Sequence, residues 1–556
     1  MADGQVAKSH EESESKSQDI IDQVPSHSQG ETEATGDKRL SDTVVDDAAK
    51  YLANASQFAA LTPEREDKLR KKIDAWMIPL LLFTATLGAV DKVEIGTASL
   101  YGFQSDNHIT GDQYSWLGSI LPLGQLFGYT ITTWLVHRVP PGKLLCIASL
   151  LWSILTILYP ACHTWSGFMA LRFFMGFIES AISPCLTMLV VSFYKKEEQP
   201  QRNAIVFAYF SSVFNGFFAW LVGLIPDSAP LAKWQYLYLI TGAINILYSI
   251  FLCYFLPDNP MNARFLTAEE KSWAVERLAA NRTGISNKVW KWDQVGEAFM
   301  DIRIWLIFLF NIAINIPNGG LQAFGTIIIH DLGFSSLKAS LLTMPFGILA
   351  TSSAWFFSYI ASRWHNRRTI VACFALLLPL FGTALVYGLP RSNIAGQLIG
   401  LYFMYFYWPP YVVGISLPQA NTAGQTKKSI TFSLVTIGYA VGNLIGPQTF
   451  IANQAPKYTG GVIAMLSCYC AAMLLLLVYF AVAASENKRR NKKYGKPEEL
   501  HDALTRLLQR IQHLQNYFAV VIRFGPDTKC TKDEEWPEDS VGAQRNSRQY
   551  FEDLLG

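Results

Sequence analysis

The sequence contains few charged residues for its length of 556 residues. Asp, Glu, Lys and Arg make up 16% of the chain, whereas 50% of the residues are hydrophobic. A soluble domain has roughly a quarter charged residues, so this composition argues against a soluble globular protein. The charges are also unevenly placed, because residues 144–162 and 461–484 contain none. Segments of this length and composition can cross a bilayer as helices.

Several chemical signatures are also absent from the sequence. The eight cysteines have no metal-type spacing, and seven lie in apolar segments, where cysteine behaves as a small hydrophobic residue. We find no glycine-rich phosphate loop, metal-ligand cluster or Ser-His-Asp set. We therefore expect no enzyme activity, no ATP-driven transport, no cofactor or metal, and no nucleic-acid partner. The acidic, serine-rich N-terminus lacks the apolar core of a cleavable signal peptide.

Apolar segments of about 20 residues recur along the chain in two groups of six. Spans 1 to 6 are predicted at 75–97, 114–136, 143–162, 166–193, 204–226 and 234–256. Spans 7 to 12 are predicted at 303–329, 337–361, 369–389, 394–417, 429–451 and 461–484. This layout predicts an all-α membrane protein with twelve transmembrane helices in two six-helix, pseudo-symmetric halves.

The remaining segments are polar and define the predicted domains. Residues 1–72 form a cytoplasmic tail that is too polar to fold, apart from a short helix from Thr62 to Lys72. The two halves cover 73–256 and 303–484, with a cytoplasmic linker at 257–302 and a cytoplasmic C-terminal tail at 485–556. Residues 499–523 have an amphipathic pattern, which indicates either a surface-docking helix or a shifted gene model.

The distribution of lysine and arginine predicts the orientation of the spans. Basic residues are concentrated in the tail before span 1, in the loops after spans 2, 4, 8 and 10, in the linker and after span 12. The opposite loops contain little beyond Lys233, Lys338, Arg391 and Lys457. The positive-inside rule then places both termini in the cytoplasm. The sequons at Asn54 and Asn281 fall on that side, so we expect neither to be glycosylated.

Apart from Lys143, Arg303 and Lys338, which lie at the very start of spans 3, 7 and 8, five charged residues lie within predicted spans, where each costs several kcal/mol and so requires a reason. Span 1 contains Asp91, Lys92 and Glu94, and span 4 contains Arg172 and Glu179. Arg172 and Glu179 are seven residues apart, which places them on one helix face about 10 Å apart along the axis. Glu94 lies closest to the outer surface, and we expect it to be a solvated residue at the end of the helix.

These charges allow two readings. In the functional reading they line a polar cavity, where Asp91 and Glu179 take up and release protons near neutral pH. Arg172 and Lys92 would then hold a substrate carboxylate, with the arginine binding it in bidentate fashion. In the structural reading the charges pair with each other and only fasten spans 1 and 4 together. Lys92 could also extend toward the outer surface.

Polar and helix-breaking residues in the second half are further candidates. Span 7 combines Pro317 with Gly319 and Gly320, which predicts a broken helix that lines a cavity. The candidate substrate-binding residues of this half lie in spans 7, 10 and 11: Asn315, Asn318, Gln322, Tyr407, Trp408 and Asn443. Interhelical hydrogen bonding is the alternative role for the amides. Glycines 438, 442 and 446 of span 11 favour close helix packing.

The chain resembles the major facilitator superfamily in this layout, and its charged residues in spans 1 and 4 resemble those of the anion:cation symporters. Several motifs resemble the fungal allantoate permease branch: DQYSWLGS at 112–119, LPDNP at 256–260, NTAGQTKK at 421–428, GNLIGPQ at 442–448 and ENKRR at 486–490. One departure is Val136-His137-Arg138, which lacks the acidic residue that usually precedes the arginine in this superfamily.

The resemblance implies a secondary active transporter that acts as a monomer in the plasma membrane. It implies proton coupling by Asp91 and Glu179 and uptake of a small carboxylate, such as allantoate, a ureido acid, nicotinate or another vitamin-like acid. Two alternatives remain at this stage. One is an exporter of a secondary metabolite on the same fold, and the other is a nutrient sensor that does not transport.

Overall fold

The computed structural model describes residues 61–195, 197–208, 210–279, 291–364, 367–422 and 424–494. The regular elements within these ranges are all helices. The predictions for the N-terminal tail up to residue 60, for Asn54 and Asn281, and for the amphipathic segment 499–523 lie outside the described residues. The described chain forms two compact units, one up to Tyr479 and one from Phe480 onward, where Glu486 forms ion pairs with Arg489 and Arg490.

Every predicted span coincides with one helix or with two consecutive helices. Spans 1 to 6 are Pro63–Leu100, Gly111–Arg138, Pro141–Leu158, Trp165–Glu179 with Ile182–Phe193, Gln199–Val206 with Ser211–Gly223, and Lys233–Phe255. Spans 7 to 12 are Ile302–Asp331, Ser336–Arg363, Arg368–Gly388, Ile394–Met404 with Trp408–Asn421, Gln425–Ile445, and Thr459–Tyr494. Helices Ala268–Ala279 and Trp292–Met300 lie in the linker.

Eleven helices of the described chain are long and apolar enough to cross a membrane. The exception among the twelve spans is span 2, Gly111–Arg138, which is less apolar. Its 28 residues nevertheless extend about 42 Å at 1.5 Å per residue, which is more than the thickness of a hydrocarbon core. Span 2 contains polar residues because part of its surface faces the interior of the bundle rather than lipid.

Span 1 begins earlier than predicted. The short polar helix expected from Thr62 to Lys72 is continuous with the transmembrane segment, in one helix from Pro63 to Leu100. Thr62 caps this helix by accepting a hydrogen bond from the backbone N–H of Arg65 at 3.4 Å, and proline occupies the first helical position. The helix also extends six residues beyond Glu94, so that residue does not lie at a helix end.

The prolines of spans 4, 10 and 7 have different effects on their helices. Span 4 is interrupted after Glu179, because Pro184 has no N–H to donate to the carbonyl of residue 180. Span 10 narrows to a 3₁₀ turn at Tyr405–Tyr407, just before Pro409 and Pro410. Span 7 is different, because its helix runs unbroken through Pro317. The predicted break in span 7 is therefore wrong.

Close packing against span 11 explains why span 7 contains glycines without a break. A Cβ atom on Gly446 would lie 2.4 Å from the carbonyl oxygen of Ile316. One on Gly442 would lie 2.7 Å from that of Ile312, and one on Gly319 would lie 2.6 Å from that of Asn443. Glycine allows the two backbones to approach this closely. The contact brings the amide-rich face of span 7 beside span 11.

Several hydrogen bonds join the two halves on the predicted outer side. Tyr114 donates to the carbonyl oxygen of Ala323 at 2.7 Å, and Ser119 donates to that of Leu444 at 2.7 Å. Tyr101 lies 3.1 Å from Ser340, hydroxyl to hydroxyl. Any movement that separates the halves on this side has to break these bonds.

Candidate functional site

A cavity lies between the two halves at the level of the buried charges. Spans 1, 2 and 4 contribute one wall, and spans 7 and 11 contribute the other. The lining residues are Lys92, Ile95, Gly118, Leu121, Pro122, Gln125, Arg172, Gly319, Gln322, Ala323, Tyr439 and Asn443. Four of the predicted substrate-binding residues, Lys92, Arg172, Gln322 and Asn443, therefore meet at one cavity. A ligand at this site would contact both halves, so its binding would depend on how the two halves are arranged.

Lys92 and Glu179 form an ion pair at this cavity. The Nζ atom of Lys92 lies 2.6 Å from Oε1 of Glu179, with 19% and 7% of the two side chains exposed. Lys92 is thus turned inward rather than toward the outer surface. Gln125 lies beside Glu179, and Tyr129 and Tyr439 lie near Lys92. The geometry fits the structural reading, in which this pair joins spans 1 and 4. It equally fits the functional reading, because Lys92 lies at the cavity wall.

Arg172 is buried, with 2% of its surface exposed, and it also borders the cavity. Its two terminal nitrogens donate to the carbonyl oxygens of Leu117 at 3.5 Å and Asp91 at 3.3 Å. Its Nε atom has no hydrogen-bond partner in the described part of the chain. The hydroxyl groups of Tyr159 and Tyr238 face the guanidinium. The hydrogen bonds of this cation therefore go to neutral groups, which leaves it able to bind an anion.

Asp91 and Glu94 lie away from the cavity, in a closed pocket with spans 3 and 6. Asp91 Oδ2 accepts hydrogen bonds from the indole of Trp152 and, at 3.2 Å, from Thr156. Glu94 Oε1 accepts a hydrogen bond from Thr241 at 2.6 Å. Glu94 has no exposed surface, so its predicted solvation is wrong. Its burial follows from the two helical turns of span 1 beyond it.

The amides predicted in span 7 form a hydrogen-bonded network. Asn318 Oδ1 accepts hydrogen bonds from Tyr407 at 2.5 Å and from Gln322 at 2.7 Å. The Nδ2 atom of Asn318 donates to Asn315 at 3.1 Å. Of these residues only Gln322 lines the cavity, while Asn315, Asn318 and Tyr407 are buried behind it. They can fix the position of Gln322 without touching a ligand.

Trp408 lies apart from this cavity. Its ring is 5.1 Å from that of Tyr411, centroid to centroid, and Trp408 is not among the residues that line the cavity. The structure therefore brings four predicted substrate-binding residues to the cavity, places three in the network behind Gln322, and leaves Trp408 outside it.

Two polar residues of the cavity, Gln125 and Tyr439, were missed by the sequence analysis. Gln125 lies seven residues after Gly118 and three after Pro122, which is the spacing of one helix face. As a polar residue on that face of the least apolar span, Gln125 could have been predicted to line a cavity. Tyr439 follows Gly438, which packs against Phe308, so the turn that carries it is held close to span 7. Among the described residues, no three His, Cys, Asp or Glu side chains are arranged to hold a metal ion.

Comparison with known proteins gives consistent results at three levels. Residues 80–447 match the family model of the Major Facilitator Superfamily. The chain is 42% identical to the MFS-type transporter cnsL of Penicillium expansum, covering 77% of this chain and 83% of that protein. It is 35% identical to the allantoate permease of Saccharomyces cerevisiae, covering 83% of this chain and 87% of the permease.

Solved structures give the same fold. A bacterial homologue of the human lysosomal transporter Spinster, in an inward-facing and unoccupied conformation, aligns with a TM-score of 0.55. The alignment covers 73% of this chain and 96% of the bacterial protein, at 14% sequence identity. At this identity the likeness shows the fold alone.

Proposed function

This chain belongs to the major facilitator superfamily and is a multi-pass membrane transporter rather than an enzyme, and we propose that it takes up a small organic anion together with protons. The observation that carries the proposal is the cavity wall that contains Lys92 and Arg172, together with the ion pair that joins Lys92 to Glu179. Two cations and one carboxylate leave one net positive charge there. A monoanion would neutralise it.

Anion binding at this wall involves two steps. Arg172 offers a planar set of donors whose present hydrogen bonds go to backbone carbonyl oxygens, so a substrate carboxylate can bind it in bidentate fashion. The same carboxylate then competes with Glu179 for Lys92, 2.6 Å from Oε1 of that residue. A buried carboxylate that loses its cation gains affinity for a proton.

Proton and anion binding therefore favour each other. When Glu179 is protonated, Lys92 is free for the substrate, and when the substrate occupies Lys92, Glu179 binds a proton more tightly. By linkage the two effects are equal in free energy. This reciprocity is what a symporter requires, because the cavity is then either filled with both ligands or empty of both.

The opposite wall supplies the means of recognising the rest of the substrate. Gln322 and Asn443 belong to spans 7 and 11, and both line the cavity. Their amide groups suit a ligand with its own amide or ureido groups, as allantoate has. A substrate held by the cations of one half and the amides of the other links the two halves, and its binding energy differs between their open and closed arrangements.

The substrate class is proposed on this chemistry together with the relation to allantoate permease. It comprises small carboxylates such as allantoate, other ureido acids, nicotinate and further vitamin-like acids. We further propose that the protein acts as a monomer in the plasma membrane with both termini in the cytoplasm. The lysine and arginine distribution supports this orientation.

Uptake in a yeast strain that lacks its own allantoate permease tests the proposal. Labelled allantoate and nicotinate would be supplied to cells that express the full chain, at several external pH values and with a protonophore. We expect uptake of at least one acid to rise as the external pH falls and to be abolished by the protonophore. Uptake that is indifferent to both treatments would refute proton coupling. A membrane-impermeant reagent tests the orientation. It should label a cytoplasmic N-terminus in permeabilised cells but not in intact cells.

A further inference from the structure

Two amide side chains, Gln322 of span 7 and Asn443 of span 11, line the cavity on the wall opposite Lys92 and Arg172. An amide can offer its carbonyl oxygen, which accepts hydrogen bonds, or its NH₂ group, which donates them. The two choices select opposite ligands, because a wall of acceptors requires N–H groups on the substrate and a wall of donors requires lone pairs. The hydrogen bonds behind the two amides show which choice applies.

The orientation of Gln322 is set by a chain of amides that begins at a backbone carbonyl. The Nδ2 atom of Asn315 donates to the carbonyl oxygen of Asn311 at 2.8 Å, and that oxygen can only accept. Oδ1 of Asn315 therefore accepts from Nδ2 of Asn318, at 3.1 Å. Asn318 then meets Gln322 with its Oδ1 atom, so Gln322 has to donate through Nε2, at 2.7 Å. The carbonyl oxygen of Gln322, Oε1, accepts no hydrogen bond from the described part of the chain and is left for the cavity.

Asn443 has the same polarity on span 11. Its Nδ2 atom donates to the backbone carbonyl of Tyr439 at 2.9 Å, which fixes the amide because that carbonyl can only accept. The Oδ1 atom is buried and has no hydrogen-bond partner among the described residues, and only 4% of Asn443 is exposed. A buried carbonyl oxygen without a donor is unfavourable, so a ligand that supplies the donor gains affinity.

We propose that Gln322 and Asn443 present two carbonyl oxygens to the substrate, so that the site selects a carboxylate whose far end carries neutral N–H donors. The inference deepens the proposed function and rests on it, because Arg172 and Lys92 hold the carboxylate. A terminal ureido or primary amide group supplies two or more N–H donors, enough for both oxygens, whereas a hydroxyl group supplies one. An ammonium group fits less well, since a zwitterion has no net charge and would leave the net positive charge beside Arg172 uncompensated.

The same two oxygens disfavour ligands whose far end only accepts hydrogen bonds. The ring nitrogen of nicotinate is an acceptor, so it would leave Gln322 and Asn443 unpaired. Gln322 cannot turn its amide round without placing its oxygen against Oδ1 of Asn318, where both atoms are acceptors. Tyr439 also lines the cavity, but its hydroxyl both donates and accepts and so does not discriminate. Asn318 is therefore a positioning residue that sets substrate choice through Gln322.

Calorimetric titration of the purified full chain with matched acids tests this polarity. N-carbamoylglycine and N-acetylglycine have closely similar shapes and the same charge, but the first ends in an NH₂ group and the second in a methyl group. The N-carbamoyl and N-acetyl derivatives of β-alanine form a second pair. We expect the N-carbamoyl acid of at least one pair to bind at least about tenfold more tightly than its partner, which leaves a carbonyl oxygen unpaired. A smaller difference in both pairs, or tighter binding of nicotinate or of the free amino acids, would overturn the inference.

Variants assign the selectivity to particular residues. Gln322→Met and Asn443→Leu each remove one carbonyl oxygen and should reduce the ratio of the two affinities. Asn318→Leu removes the acceptor that orients Gln322, so the ratio should fall while the N-acetyl acid binds as before. A merely structural role of Asn318 would weaken both acids alike. Gln201→Met, at an exposed position of helix Gln199–Val206, should keep the wild-type ratio. Unchanged ratios in Gln322→Met and Asn443→Leu would also overturn the inference.

The same titrations separate this inference from the proposed function. If the two acids of each pair bind equally and both lose affinity in Arg172→Gln, the anion site stands and only the inference fails. If neither pair, nor allantoate, nor nicotinate binds, the proposed function fails and the inference fails with it. The comparison within each pair in the wild-type protein needs no variant, so it holds even where a substitution prevents folding.

Discussion

Lys92 Nζ lies 2.6 Å from Oε1 of Glu179, so one ion pair joins spans 1 and 4 at the wall of the cavity. The partners are largely removed from water, with 19% and 7% of their side chains exposed. A pair in such a place is costly to form and strongly affected by any third charge, because the surroundings screen it poorly. The binding of an anion beside it therefore has to change its protonation.

Replacing Glu179 with glutamine tests that relationship. Glu179→Gln keeps the size of the side chain but removes its charge and its titration, so Lys92 is free at every pH. We expect the variant to bind the substrate and exchange it across the membrane, while net uptake no longer depends on external pH. The measurement is labelled uptake and counterflow over a range of pH. Uptake by Glu64→Gln, whose side chain is exposed, serves as the reference, and an unaltered pH dependence in Glu179→Gln would exclude it from coupling.

Arg172 is expected to provide most of the affinity for the anion. Arg172→Gln should weaken substrate binding by at least about 2 kcal/mol, or roughly thirtyfold, because it removes a desolvated charge partner. Arg172→Lys should restore part of the affinity, since lysine keeps the charge but not the bidentate geometry. Displacement of labelled substrate from the purified protein gives both constants. The exposed Arg363→Lys controls for the substitution itself, and equal affinity in wild type and Arg172→Gln would place the anion elsewhere.

Most of the fold follows from sequence features that act locally. An apolar, charge-free segment of about 20 residues favours a bilayer regardless of its neighbours in the fold. The predicted spans therefore lie close to the helices of the structure. Span 2 was predicted at 114–136 on the same ground, although Gln125 and the glycines beside it make it less apolar than its neighbours.

The candidate site depends on which face of each helix meets which neighbour, and that is less accessible to sequence. Glu94 illustrates the difficulty. Its distance along span 1 suggested an exposed end, but Glu94 lies in a closed pocket, where Thr241 of span 6 donates a hydrogen bond to its carboxyl group. The sequence of span 1 alone does not indicate this contact with span 6. Span 7 is a similar case, since Pro317 predicts a break by its own chemistry, whereas packing against span 11 supports a continuous helix.

The packing of span 7 on span 11 gives a prediction about stability. Gly446→Ala adds a methyl group whose carbon would lie 2.4 Å from the carbonyl oxygen of Ile316 and 2.6 Å from the backbone nitrogen of Gly320. Both neighbours are backbone atoms, so the helices must separate. We expect a destabilisation of about 1 to 3 kcal/mol, the usual cost of overpacking, and reduced transport. Thermal unfolding in detergent provides the measurement.

Gly388 offers a matched control for this substitution. It ends the helix of span 9, and a Cβ atom there would meet no other atom within 4 Å. Gly388→Ala should therefore leave the unfolding temperature unchanged. If Gly446→Ala were equally harmless, the close approach of spans 7 and 11 would not be needed for the folded state.

The junction of the linker with span 7 gives a prediction about pH. Asp301 caps span 7 and accepts hydrogen bonds from Arg303 at 2.7 Å, while Lys427 of span 11 lies 2.9 Å from the same carboxylate. Burial alone would raise the pKa of Asp301, but these two cations lower it below its ordinary value of 3.8. A lowered carboxyl pKa stabilises the folded state above the pKa of the unfolded chain, and this stability is lost as pH falls through the folded pKa.

Asp301→Asn should therefore lower the free energy of unfolding by about 2 kcal/mol at neutral pH, the worth of a hydrogen bond to a charged group. The difference from wild type should stay constant down to about pH 5, because Asp301 remains ionised in both states over that range. It should shrink only in stronger acid, where the unfolded chain takes up the proton first. Asp293→Asn, at an exposed position of helix Trp292–Met300, should show no such loss. A difference that disappeared between neutral pH and about pH 5 would mean that Asp301 already binds a proton in the folded protein, and that the two cations do not hold it ionised.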